Sequence, residues 1–560
     1  MNKKFKIEYS IYAMGTFIAL VGMLFLILRS DLVMKFRYFN EPDEYSVLSQ
    51  EVEASQKLPV YLILTGPDQK ILQDSLKKRM ELMGKDVVTR PISTIESKEE
   101  LTDYTGVVVA TERLDLLQKT NTMLQFVKDG GSVFLAVRPA AGPSLSSLSQ
   151  PLGLMDIGSL VKTSGIQLEQ PFFNDSGDTA FSSESIINSS LSARLSDNVE
   201  LFASSLSDIP LLWKASYGEG TFIVFNGTMF TELADQALFS KGIQQLTDHF
   251  IMPIINARVT ELSGFPFLVP EGKDLSSSYT NRDYYRTVLW PELQRIESKY
   301  DLNYTASYRV PEEVTSSPRE TSPLLDELEL YSRDLLRMGG EIAVQESVAT
   351  TDEQEVYSQE NAILHIQEML PGYLIRSAVS ASLEAKLKLP EDITTLLLPN
   401  VNVEKIAKTN ILPKTIEGFE IDDNKKWELL NEVISSGFYA HTINPYHFFE
   451  KGSAEEKLAS FTDFQQVSHK QFPWIRSMTL SKAGEAAFAV IGSELYEKQE
   501  GDTLTFSATA MKEKTDSYYY FSTGRIIEET KNCEVKKIGK DLYLVEADEL
   551  TFSIVLGGLS

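Results

Sequence analysis

The run Ile11–Leu28, eighteen residues without one charged side chain, constrains this chain more than any other stretch. As a helix it rises about 27 Å, enough to reach across the hydrocarbon of a bilayer. Lys3, Lys4 and Lys6 precede it, and Arg29, Lys35 and Arg37 follow it. The run is longer than the apolar region of a secretory signal, and no small-x-small cleavage pattern follows Leu28. The expectation is an uncleaved signal anchor over residues 1–37. Its flanking charge is close to balanced and orients it only weakly. An N-terminal anchor ahead of one long soluble region places the C-terminal domains outside the cytoplasm, on a cell membrane crossed once.

The 560 residues suggest three or four units at roughly 150 residues each. A formal charge of −26 repels nucleic-acid phosphates and anionic headgroups and favours cationic partners. Cys533 is the single cysteine, which excludes an intramolecular disulfide and a Cys-rich metal site. Its sequence context reads as a C-terminal strand.

Residues 38–57 carry Glu41, Asp43, Glu44, Glu51 and Glu53 and read as a stalk. An α/β rhythm then fills 58–252, with continuous apolar strands at 60–66, 106–110 and 132–137 and helical stretches at 69–83 and 114–128. Continuous rather than alternating hydrophobicity predicts a doubly wound sheet covered on both faces. Phe126-Val127-Lys128-Asp129-Gly130-Gly131-Ser132-Val133 and Tyr217-Gly218-Glu219-Gly220-Thr221-Phe222-Ile223-Val224-Phe225 make this region resemble the class I glutamine-amidotransferase-like fold. The chemistry of that superfamily needs a cysteine nucleophile. Residues 58–252 contain none, so a structural or binding role is what remains.

Over 253–471 the order strand then helix repeats. Strands are predicted at 254–262, 304–310, 341–346, 373–379, 394–399 and 437–443, and helices near 283–300, 322–338, 352–369, 424–435 and 454–468. Six such units suggest an incomplete or distorted (β/α) barrel, with an open doubly wound sheet as the alternative. From 472 to 560 short alternating segments at 486–493, 503–511, 517–522, 534–538, 542–547 and 550–555 predict an antiparallel β-sandwich. It reads as a packing module, in which Tyr518, Tyr519, Tyr520 and Phe521 offer material for a stacking platform.

Three segments of the barrel region carry a pattern. They are Leu262-Ser263-Gly264-Phe265-Pro266, Met338-Gly339-Gly340-Glu341-Ile342-Ala343-Val344-Gln345-Glu346-Ser347-Val348-Ala349, and Phe438-Tyr439-Ala440-His441-Thr442-Ile443-Asn444-Pro445-Tyr446-His447. They resemble the polysaccharide deacetylases, which hold a metal with an aspartate and two histidines and direct its bound water at an acetamide carbonyl. Here Ser263 and Gly264 stand where that resemblance calls for carboxylates, and Gln345 and Ala349 stand at the histidine positions. His441 and Pro445 persist in the third segment, whereas Asn444, Tyr446 and His447 depart from the pattern. Together the segments make the chain similar to the DUF2194 family of membrane-anchored proteins associated with Pel-type exopolysaccharide operons. That resemblance implies a barrel that lost its metal and a role in making or exporting a secreted polysaccharide, with no cofactor.

The candidate groove comprises Glu271, Asp274, Glu341, Gln345, His441, His447, Tyr284 and Trp290. Tyr279, Tyr284, Tyr285 and Trp290 follow the first barrel strand, where loops build binding grooves. His441 and His447 are six residues apart, about 20 Å along a continuous strand, and approach only if the chain turns at Pro445. Two functions stay open. One is a noncatalytic scaffold binding a glycan, such as a cationic amino-sugar polymer, or a membrane glycosyltransferase and export complex. The other is a carbohydrate hydrolase that pairs Glu261, Glu271 or Asp274 with Glu341 or Glu346 across the barrel mouth, since glycoside hydrolysis needs two carboxyl groups about 5–10 Å apart.

Overall fold

The structure is a computed structural model and describes residues 3–28, 46–53, 55–67, 69–174, 179–183, 185–231, 236–265, 269–276, 278–309, 323–345, 362–380, 390, 392–450 and 453–559. Lys3–Leu28 forms a 26-residue helix whose described side chains, 12–24, are exposed. No helix among the described residues is long and apolar enough to cross a membrane. Residues 12–24 are fewer than a span requires. Anchoring therefore stays an expectation from the sequence.

The first α/β unit is a nine-stranded sheet. Five strands are parallel, in the spatial order Asp86–Pro91, Val60–Thr65, Gly106–Ala110, Ser132–Leu135, Gly220–Phe225. Pro210–Tyr217, Glu200–Ser204, Ile166–Leu168 and Ala180–Phe181 extend it antiparallel. Successive residues of one strand enter opposite cores: Ile63 and Val108 pack under Leu72, Leu76 and Met80, whereas Leu62, Val107 and Val109 pack under Met123, Phe126 and Val127. That two-sided burial is why these strands are continuously apolar. The two glycine-rich segments meet. Thr221 and Glu219 donate their amides to Gly131 and Lys128, and a Cβ on Gly220 would lie 2.1 Å from the Gly131 carbonyl oxygen.

The second unit is a ring of seven parallel strands: Ala257–Phe265, Tyr304–Tyr308, Glu341–Gln345, Ser377–Val379, Thr395–Pro399, Thr409–Lys414 continuing into Ile416–Glu417, and Phe438–Ile443. The sixth strand closes the ring, because Thr409–Lys414 pairs with the fifth strand and Ile416–Glu417 with the seventh. The seventh also pairs with the first. This strand escapes a reading by apolar runs because it reads Thr-Asn-Ile-Leu-Pro-Lys, with a proline inside it. Helices at 290–299, 323–337, 423–436 and 454–471 cover the outside. Ser453 and Glu456 form a capping box that starts the last of them, and Gly437 ends the helix before it at φ 63.

Two predicted strands are corrected. The segment predicted at 254–262 is two strands: His249–Ile254 leaves the barrel to pair antiparallel with Ser517–Thr523, and Asn256, at φ 52, turns the chain into Ala257–Phe265. The segment predicted at 486–493 is helical, as Leu480–Ala486 and Phe488–Ile491. Leu480, Ala483 and Ala487 close the floor of the barrel against Ala257, Val259, Phe438 and Ala440. Small alternating residues satisfy both periodicities, and burial decides between them.

The C-terminal sandwich stacks two four-stranded antiparallel sheets around Ile251, Phe506, Tyr519, Phe521, Val545 and Phe552. His249–Ile254 supplies one edge strand, so this unit is completed by chain from before the barrel. Tyr519 and Phe521 face the sandwich core, while Tyr518 and Tyr520 face the other units. All four are buried, which leaves no stacking platform there. The described part of the expected stalk is also placed differently: Val47–Ser49 pairs with Ala510–Lys512, and Lys57 bridges Glu497. The three units share one core, in which Phe173 of the first packs on Trp474 and Tyr520.

Candidate functional site

Side chains alternate along each barrel strand, so every second residue points into the lumen. The middle of the lumen is dry, filled by Val259, Ala343, Val379, Leu397, Leu412 and Ala440. Polar residues lie at its two ends. At the C-terminal end Glu261 is fully buried, and its two oxygens accept from Ser307 Oγ at 2.6 Å and Thr442 Oγ1 at 2.5 Å. One step further out, Gln345 Oε1 accepts from the Gly264 amide at 2.8 Å, and Gln345 Nε2 donates to Ser263 Oγ at 3.3 Å. The Gly264 amide reaches the lumen because the first strand bulges between Leu262 and Phe265, with Gly264 at φ 70, a conformation side chains disfavour. The Asn444 amide is the nearest group to the position of a Gly264 Cβ, at 3.7 Å.

The residues standing at the three deacetylase-like positions, Ser263 with Gly264, Gln345, and Asn444, thus converge on one mouth. They present amides and a hydroxyl. Among the described residues no three His, Cys, Asp or Glu side chains gather as a metal site would require. Ala349 and Glu346 lie outside the described residues, as do 266–268, 310–322, 346–361 and 381–389.

The structure separates the other candidates. Glu341 faces the lumen from the opposite, N-terminal end of the strand that carries Gln345. Its carboxylate accepts from Ser377 Oγ at 2.6 Å and from the Ser481 amide at 2.9 Å, and burial pushes its pKa up. Sealed under the floor helices, it is unavailable to the mouth and cannot pair with Glu271 or Asp274. Those two are exposed on the loop after the first strand, where Asp274 Oδ2 accepts from Asn281 Nδ2 at 2.8 Å.

His441 sits on the outer face of the seventh strand. Its Nε2 donates to the Gly418 carbonyl at 2.8 Å, and its Nδ1 accepts from Gln465 at 3.3 Å. Burial holds its pKa down at about 4, so the ring is neutral and belongs to the packing between strand and helix. His447 is half-exposed on the turn Pro445–Phe449, 3.9 Å from Glu450. The two histidines do not meet. Trp290 and Tyr285 are interior, with Trp290 5.1 Å from Tyr331 and Tyr285 5.5 Å from the same ring. Tyr284 is half-buried beside them and Tyr279 is exposed, so the aromatic groove expected here is mostly core.

In the sequence Glu261 is one of several carboxylates near a strand end. The signal that singles it out is its position two residues before Ser263, which puts both on the lumen face.

The family described as "Uncharacterised protein conserved in bacteria (DUF2194)" matches residues 183–342 and 394–544. No curated protein matches the sequence. A glycoside hydrolase/deacetylase of Parabacteroides distasonis, so described, aligns at 12% identity over 48% of this chain and 82% of that one, with a TM-score of 0.30. A β-galactosidase from Bacillus circulans sp. alkalophilus aligns at 12% identity over 35% of this chain and 33% of that one, with a TM-score of 0.24. A ThuA-like protein of Bacteroides uniformis aligns at 11% identity over 32% of this chain and 84% of that one, with a TM-score of 0.23. The chain spans about a third of the length of the β-galactosidase.

Proposed function

Because the chain belongs to the family described as uncharacterised protein conserved in bacteria (DUF2194), we propose that it is a membrane-anchored, extracytoplasmic accessory protein of exopolysaccharide synthesis or export, whose barrel mouth binds the glycan without hydrolysing it. One observation carries this reading. Ser263, Gly264, Gln345 and Asn444 come together at the C-terminal mouth as neutral donors and acceptors. Such groups suit the hydroxyls and acetamides of a sugar, and barrels of this kind place their ligands at that end. Glu261 beneath them acts as a support, because both its oxygens are already engaged. The net charge of −26 favours a polymer bearing free amines. The helix Lys3–Leu28 is the membrane attachment, beside the glycosyltransferase and export machinery that handles the polymer.

Titration of the purified full-length chain with acetylated and partly deacetylated amino-sugar oligomers tests this. Gln345→Ala and Asn444→Ala are each expected to weaken binding about tenfold, the equivalent of one well-placed hydrogen bond. Acetate release and chain shortening are followed in parallel, and neither is expected. Unchanged affinity in both variants removes the barrel mouth as the site. A hydrolytic product that depends on a mouth carboxylate makes the protein an enzyme.

A further inference from the structure

Where the first unit, the helix 423–436 and the sandwich meet, the chain leaves a cavity of 350 Å³, at the small end of the ligand-pocket range. Its wall includes Phe172, Phe202, Lys214, Lys241, Ser522 and Lys540. Lys241 projects from the helix Gln236–Gln244, with its ammonium 5.2 Å from the centre of the Phe202 ring. It is half-buried, and desolvation lowers its pKa against the opposing attraction of Asp541 and Glu200. Glu200, Asp248 and Asp541 also line the cavity. Among the described residues, however, none of the three comes within the 4.0 Å of an ion pair with Lys241 or Lys214. The Lys214 ammonium donates to the Gln245 side-chain oxygen at 3.4 Å.

Lys241 and Lys214 are both half-buried, and cations partly withdrawn from water are ordinarily paired because desolvating an ammonium is costly without a partner. Lysines that converge on one hollow in a chain of charge −26 therefore mark a place for an anion. The rest of the wall favours a sugar as its carrier. Phe172 and Phe202 line it with aromatic surface, and Gln170, Gln244, Gln245 and Ser522 offer hydrogen-bonding groups. We propose that this cleft binds one anionic sugar unit, carboxylated or phosphorylated, with Lys241 and Lys214 holding the acidic group and the aromatic side chains taking the sugar ring. The site is separate from the barrel mouth and does not depend on the function assigned there.

Calorimetric titration of the full-length chain with glucuronate, glucose 6-phosphate, glucose and inorganic phosphate tests it. At least one of the two anionic sugars is expected to bind saturably, at least tenfold more tightly than glucose or free phosphate, and more weakly as salt rises. Which of the two binds identifies the source of the charge. Lys241→Met, which keeps the length of the side chain and removes a half-buried charge, is expected to weaken binding at least tenfold with an unchanged thermal midpoint, and Lys214→Gln to weaken it severalfold. Glucose binding as tightly as the anionic sugars overturns the proposal. So does free phosphate matching them, the absence of saturable binding, or full affinity in both variants.

Discussion

Replacing Glu261 with alanine is expected to cost about 3–5 kcal/mol of stability and to remove glycan binding at the mouth. The carboxylate is fully buried, on the lumen face of the first barrel strand. Through Ser307 it reaches the second strand and through Thr442 the seventh, so one side chain ties three neighbours of the ring. Truncation leaves the Thr442 hydroxyl without an acceptor in a space closed to water, at about 1–3 kcal/mol, reduces Ser307 to its longer contact with Gln345 Oε1 at 3.4 Å, and opens a void beneath Gln345. Glu261→Gln keeps one strong acceptor, and a hydroxyl can rotate to accept from the new amide, so its expected cost is nearer 1–2 kcal/mol. Urea unfolding of the full-length chain checks the order of the two. A loss below about 1 kcal/mol for the alanine variant means that water or rearranged side chains replace the carboxylate.

Much of the architecture is legible in the sequence because burial and periodicity coincide there. The strands at 60–65, 106–110 and 132–135 are apolar along nearly their whole length, with Thr65 and Ser132 at their ends, because cores lie on both sides of the sheet. The barrel helices at 323–337, 423–436 and 454–471 fall within a few residues of their predicted positions. The reading fails where long-range packing decides the outcome. Nothing local says that His249–Ile254 pairs with Ser517–Thr523 across more than 250 residues of chain, or that the alanines near 486 close a barrel floor as helix. The sixth barrel strand hides for a different reason: closing a ring asks little of a strand beyond two flanking partners, and Thr409–Lys414 is polar at both ends.

The candidate site is legible to a smaller degree, and its misplacements share one cause. Residue type in a sequence does not say which end or face of a strand the residue occupies. Glu341 and Gln345 lie on one strand face, yet they mark the two ends of the lumen, with the dry middle layer between them. His441 neighbours Thr442 in sequence, but alternation turns Thr442 inward and His441 out under the helix 454–471, against Phe461 and Phe464. Trp290 and Tyr285 follow a strand end as groove aromatics would, but they belong to the helical layer outside the barrel.

The buried titrating groups predict opposite pH slopes that two substitutions separate. His441 is held at about 4 when folded, against 6.5 when exposed, because burial disfavours the imidazolium. Below pH 6.5 the unfolded chain gains a proton that the folded chain refuses. Stability from this residue is therefore full above pH 6.5 and falls by about 3 kcal/mol as pH drops to 4. Glu297 runs the other way. Burial lifts its folded pKa to about 8 from 4.5, so its contribution is greatest below pH 4.5 and is lost as pH rises to 8. The environment explains the difference: among the described residues the Glu297 carboxylate receives only the Tyr304 amide, at 3.4 Å, which is too weak a contact to hold a charge out of water. At pH 7, Glu297→Gln is accordingly expected to raise stability by about 3 kcal/mol, with the gain vanishing near pH 4.5. His441→Gln, whose amide can both donate to Gly418 and accept from Gln465, is expected to flatten the acid limb between pH 6.5 and 4 and leave the alkaline limb unchanged. Chemical unfolding of the full-length chain at intervals from pH 4 to 8 reads both differences. Curves parallel to the unsubstituted chain in either window would show that the residue concerned meets solvent before the fold as a whole opens.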